Sequence, residues 1–250
     1  MAVRGLLHAH IAQRIFSRHS FEMKSIIISL IILGLALPVL ALDRAGLDNR
    51  IGKVNILLQE MQLKPDKSIP AQDLRNAQGI ILLDRTKAGF IFAYQGGSGV
   101  AMVREPNSGQ WGPPAFVKAS EASFGVQAGG QHSFVVILLM NTNSTRMLTE
   151  PVFKFGGEAG GTAGNASGGV EGGVASVEQL VLVFSDTAGL YGGAAIKGAS
   201  ISPDTEANLT YYGQFLTTKE ILYDGKVKPS EAALALAKKL DELAKQFLTK

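Results

Sequence analysis

Cysteine is absent from all 250 residues. That excludes disulfides, thiolate metal sites and thiol nucleophiles. It also removes the acylated cysteine that would anchor a bacterial lipoprotein. Histidine is scarce: of four, only His132 lies beyond residue 19. A Ser-His-Asp mechanism would rest on it alone, and its place before "SFVVILLM" suits a structural or exposed residue better. No G-x-S-x-G elbow is present, since "GGSGV" ends on Val100. "GGAAIKG" only echoes a phosphate-binding loop, and no G-x-G-x-x-G follows a strand. Neither an EF-hand loop nor a paired-histidine motif occurs, so no metal and no cofactor is expected. One catalytic option is left: a carboxylate pair assembled by the fold from Asp84, Glu158, Glu171 or Asp186. Ordinary charge on the rim of a sheet is the simpler account of those residues, and the chain reads as a non-enzyme.

An excess of one charge is lacking too. The chain has 24 basic and 21 acidic residues; four of the former and one of the latter precede Leu42, leaving 20 of each. A globally basic nucleic-acid binder is excluded on that balance. Attraction to anionic lipid would need a local patch.

Residues 1–41 read as a leader. Met23-Lys24 is a short basic start, and "SIIISLIILGLALPVLA" is an apolar run ending in Val39-Leu40-Ala41. That order suits a secretory signal cleaved after Ala41, near Pro38. An uncleaved anchor is the alternative, although the run is barely long enough to span. Residues 1–22 are redundant if Met23 is the true start. The expectation is a periplasmic or secreted protein whose residues 42–250 form one domain.

Helices flank strands in that domain. Leu47, Ile51, Val54, Leu58 and Met61 recur at helical spacing, ahead of Pro65. "PAQDLRNA" opens on a proline that a first helical turn tolerates. From Gly79 the pattern becomes strands: "GIILLD", then "AGFIFAYQ" and "SGVAMVRE" hinged across Gly96-Gly97, then "PAFVKASEASFGVQAGGQ" and "HSFVVILLMN". "QLVLVFSD" and "GLYGGAAIKGASI" make a further pair. "SPDTEANLTYYGQF" reads as a loop with a short helical piece, and "TTKEILYDG" is ambiguous. Ser230 caps a last helix with Leu236, Leu240, Leu243 and Phe247 on one stripe. It suits packing on the sheet; lying on a membrane is the sharper alternative. The class expected is α+β, with a β-rich, curled or barrel-like, largely antiparallel sheet and helices at both ends.

The stretch "FGGEAGGTAGNASGGVEGG", residues 155–173, holds nine glycines, many of them four apart. A helix there would lose roughly 1 kcal/mol per glycine against alanine. A membrane helix is interrupted by Glu158, Asn165 and Glu171. Strand, turn and strand is the preferred reading: bare backbone lets a sheet bend sharply, or lets something flat and apolar lie close.

Basic residues stand at strand ends: Arg85, Lys87, Arg104, Lys118, Lys154 and Lys197. Arg85 and Lys87 would flank a tight turn, where they could meet phosphate head groups. Trp111, the one tryptophan, stands in the Pro/Gly cluster "PNSGQWGPP" and could enter a lipid interface. Arg85, Lys87, Trp111, Lys154 and Lys197 are the candidate lipid-binding residues.

Several phrases occur together and in order: "AQGIILLDRTKAGFIFAYQGGSGVAMVRE", "GQWGPPAFVKASEASFGVQAGGQ", "VVILLMN", "FGGEAGGTAG" and "VFSDTAGLYGGAAIKGASISPD". In these the chain resembles the SYLF family, also called the Ysc84 actin-binding domain, over about residues 51–227. The resemblance implies a compact barrel-like domain with helices. It implies phosphoinositide and actin binding in eukaryotic members, and lipid binding without a known reaction in bacterial ones. This chain departs from the family pattern at Phe134, where an Asp is usual, at Asn165, where a Pro is common, and at Ser185-Asp186-Thr187, where a basic residue is common. The glycine frame is intact, so the departures bear on the ligand more than on the fold. The function expected is binding of phospholipid or a membrane surface by an exported bacterial protein. The alternative is an interaction module for an envelope protein; an exported bacterial chain would not be expected to meet actin.

Overall fold

The computed structural model describes residues 42–89, 92–124, 129–154, 181–186, 189–191 and 200–246. At 87–89, 92–95, 121–124, 129–131, 153–154 and 189–191 it describes the backbone alone. Residues 42–250 form one compact unit.

Helix α1 spans Arg44–Gln62. Asp43 caps it by accepting the Gly46 N–H at 2.7 Å, which satisfies a donor the first turn leaves open. Its buried stripe is Leu47, Ile51, Val54, Leu58 and Met61, the five positions expected. Each such side chain contributes roughly 1.5–3 kcal/mol on burial. Helix α2, Ala71–Asn76, follows Pro70. At the other end of the chain α6, Glu231–Lys245, is capped by Ser230 and buries Ala233, Leu236, Leu240, Leu243 and Ala244. It packs on α1 and α2, not away from the domain. Phe247 lies outside the described residues.

The strands are β1 Gly79–Gly89, β2 Phe92–Val103, β3 Ala115–Phe124, β4 Gly129–Leu139, β5 Phe153–Lys154, β6 Val181–Ser185, β7 Gly189–Tyr191 and β8 Ser200–Pro203. They lie in the order β5-β8-β3-β2-β1-β4-β6-β7, every pairing antiparallel. Three short helices complete the unit: α3 Thr142–Arg146, α4 Thr205–Tyr212 and α5 Thr218–Leu222, with a 3-10 turn at Met147–Thr149.

Strand alternation divides the core in two. Ile80 and Leu82, Val100 and Met102, Phe116, and Phe134, Val136 and Leu138 pack under α1, α2, α4 and α6. Ile81 and Leu83, Ala101 and Val103, Val117, and Val135, Ile137 and Leu139 pack under Met147, Leu148, Leu216, Ile221 and Leu222. Covered on both faces, the sheet has no need to close on itself. Among the described residues no pairing joins its end strands β5 and β7. The α+β antiparallel class is therefore as expected, but the sheet is open and the barrel-like closure is not found.

One local expectation changes. Gly96-Gly97 is not a hairpin: β2 runs straight through it, with Gly96 opposite Thr86 and Gly97 opposite Arg85. The bare backbone is used for close approach within the strand. A Cβ on Gly97 would meet the Arg85 Cγ at 2.8 Å, and one on Gly99 would meet the Leu82 carbonyl oxygen at 1.8 Å. Only the two ends of the run "GLYGGAAIKGASI" are described, residues 192–199 lying outside. Its start is β7, on β6, and its end is β8, on β3 at the other side of the sheet. The short helical piece expected in "SPDTEANLTYYGQF" is α4, capped by Asp204, and "TTKEILYDG", ambiguous in sequence, holds α5, capped by Thr217. Asn208 ties α4 to β3, its Oδ1 accepting the Phe116 N–H at 2.8 Å and its Nδ2 donating to the Phe116 carbonyl at 3.0 Å. The glycine stretch 155–173 lies outside the described residues.

Candidate functional site

Along β1 the two-sided core stops at Leu83, and along β4 it starts at Phe134. Beyond those positions β1 to β4 continue, and the residues change character. Directly paired residues of antiparallel strands share a face. On the face toward α1, the first row past the core holds Ser202, Lys118, Ser98 and Asp84, and ends against Phe134 of the core. The second row holds Lys154, Ser200, Ser120, Gly96, Thr86 and His132. A third holds Ala122, Tyr94, Ala88 and Gly130, and then Phe92 stands opposite Phe124.

Asp84 is the centre of the first two rows. Its carboxylate is paired with Lys53 from α1 and with His132 from β4. His132 Nε2 lies against Asp84 Oδ1 off axis, and that oxygen has no aligned hydrogen-bond donor. The Asp84 side chain is 14% exposed, whereas Lys53 is 57% and His132 47% exposed. A carboxylate taken that far from water needs cationic partners, and here they come from two other elements. Lys53 is the residue that sequence reasoning missed; His132, read there as structural or exposed, is its partner on Asp84. The available signal was an Asp directly following "GIILL", where strand alternation places it on a part-buried face.

Of the four carboxylates weighed for a pair, Asp84 and Asp186 lie among the described residues, and each has partners of its own. Asp186 Oδ1 accepts the Phe134 N–H at 2.9 Å, and its own N–H donates to the Phe134 carbonyl at 3.1 Å. Asp186 thus extends the sheet pairing beside β4. Glu158 and Glu171 lie outside the described residues.

The candidate lipid-binding residues divide. Arg85 is not at a turn: it sits inside β1, 5% exposed, on the face opposite Asp84, with its stem over Gly97. Lys87 is two residues further along, opposite Gln95 and Gln131. Lys154 lies in the His132 row by register, and Lys197 is outside the described residues. Trp111 is 4% exposed and packed within the α1-side core, which overturns its expected place at the surface. The Arg104 guanidinium covers its ring at 4.1 Å. Arg104 in turn donates to the Ala77 carbonyl at 3.1 Å and the Gly109 carbonyl at 2.7 Å, and meets Asp241 of α6 at 3.3 Å. The Pro/Gly cluster folds back on the core because Arg104 gathers it there.

Among the described residues no three His, Asp or Glu side chains could hold a metal, and no helix is long and apolar enough to cross a membrane.

The structure is thus an α+β domain on one open antiparallel sheet, with a charged boundary where its core ends. Residues 120–243 match the family Ysc84, described as Las17-binding protein actin regulator, and belong to it. Protein YSC84 of Saccharomyces cerevisiae is 31% identical over 186 residues, 73% of this chain and 39% of that protein. SH3 domain-containing YSC84-like protein 1 of Xenopus laevis is 30% identical over 189 residues, 74% of this chain and 55% of that protein. Its Homo sapiens counterpart is 28% identical over 170 residues, 67% of this chain and 49% of that protein. The chain thus spans about half the length of these relatives or less. No solved structure matches the chain.

Proposed function

We propose that this domain is a non-catalytic binding module that engages a phospholipid surface with the end of the sheet beyond its core. One observation carries the reading: the register stacks a cation-bearing boundary against an aromatic tip. Lys118, Lys154 and His132 stand in the two rows past the core, with Lys53 above them. Tyr94 and the Phe92–Phe124 pair follow. Aromatic residues at head-group depth with basic residues beside them suit a membrane interface. The leader ending at Ala41 supports a place outside the cytoplasm. Co-sedimentation with neutral and anionic vesicles at low salt tests the reading. Protein that stays in the supernatant with both would remove it.

A second reading, a protein-interaction module, is favoured by the family's description, Las17-binding protein actin regulator. For an exported protein the partner would be a component of the cell envelope. Cross-linking in intact cells separates the two: a single protein adduct, with no vesicle binding in vitro, selects the second.

A further inference from the structure

The Lys53–Asp84–His132 cluster joins three elements at the border of the proposed surface, and one of its members is a histidine. We propose that this cluster makes the surface bind anionic membrane more tightly as the pH falls. The inference rests on the phospholipid reading above.

With a neutral imidazole, the Asp84 carboxylate balances the Lys53 ammonium and the cluster carries no net charge. Histidine as a class gains its proton between about pH 8 and 5. The imidazolium then shares Asp84 with Lys53, and one carboxylate faces two cations. The cluster gains one positive charge, and the hold of Asp84 on Lys53 is divided. Both changes favour an anionic head group.

The charged neighbours do not cancel this. From α1, Arg50 is held by Asp204 at 2.9 Å. From β3 comes Lys118 in the Asp84 row, and from β5 Lys154 in the His132 row, both cationic. Beside β4, Asp186 is held by the Phe134 N–H. Arg85 and Lys87 belong to the opposite face of β1, as does Glu121 of β3. Among the described residues, Asp84 is the one carboxylate paired with His132.

His132 is the lone histidine after residue 19, so in a chain beginning at Leu42 the His132→Gln variant separates its share of any pH response from that of the α-amino group and the carboxylates.

The test is co-sedimentation of the processed protein with phosphatidylglycerol–phosphatidylcholine vesicles at pH 7.5 and 5.5, at one low ionic strength. One added charge near an anionic surface should tighten binding about fivefold at pH 5.5. His132→Gln should bind equally at both values. His132→Lys should bind at pH 7.5 as the native protein does at 5.5. Circular dichroism confirms that both variants fold. Equal native binding at the two values overturns the inference and leaves the phospholipid reading intact, as does a pH response that His132→Gln retains. Binding at neither value removes the reading and the inference together.

Discussion

Gly99 of β2 lies so close to β1 that a Cβ built on it would come within 1.8 Å of the Leu82 carbonyl oxygen. No rotamer relieves that contact, since both groups belong to the backbone. Gly99→Ala should therefore cost about 2–4 kcal/mol, at the upper end for a single substitution. Gly52, in the interior of α1, has open space where its Cβ would be. Gly52→Ala should stabilise by about 0.5–1 kcal/mol through helix propensity. Urea denaturation of the two variants checks the pair, and equal effects would refute the close approach.

Trp111 reports on its own burial, because it is the one tryptophan. Its emission should be blue-shifted and weakly quenched by acrylamide. Vesicles should leave the spectrum unchanged even where the protein binds. Arg104→Ala removes the cation over the ring and three hydrogen-bonding contacts. It should cost about 2 kcal/mol and shift the emission to the red.

Tyr211 joins α1, α4 and α6, its Oη lying 2.7 Å from Asp48 and 2.5 Å from Ser230. Burial pushes its phenol up to about 12 from the ordinary 10, and burial raises Tyr212 and Tyr223 as well. The folded chain keeps protons that the unfolded chain gives up above about pH 10. Stability is therefore whole below pH 10 and falls between pH 10 and 12. Thermal midpoints at pH 8, 10 and 11 should show the decline. Tyr211→Phe should flatten it and cost about 1 kcal/mol at pH 8.

Asp84→Asn leaves Lys53 without its counter-ion while keeping the size of the side chain. At pH 7.5 it should raise affinity for phosphatidylglycerol vesicles about fivefold. Weaker binding by this variant would mean that Asp84 acts there only as a structural tie.

Much of the fold was legible because it is written in short-range periodicity. The stripe from Leu47 to Met61 and the Ser230 cap need only neighbours three or four residues away. Gly96-Gly97 misled, since glycine serves a turn and a close strand approach equally well, and only the neighbouring strand distinguishes them. Trp111 misled for a similar reason. Its turn looks polar in sequence, but Arg104 and Asp241, from β2's end and α6, pull it into the core.

From residues alone come the absence of thiol chemistry, the balanced charge from Leu42 onward, the α+β class and the capped helices. These are local or compositional properties, and no folding is needed to count them. The tertiary structure decided which strands pair, that β8 joins β3 and not β6 or β7, and that the sheet stays open. It also decided that Lys53 and His132 converge on Asp84 from opposite ends of 80 residues. Register is set by burying two apolar faces at once, and that free energy belongs to the packed sheet as a whole, not to any one segment.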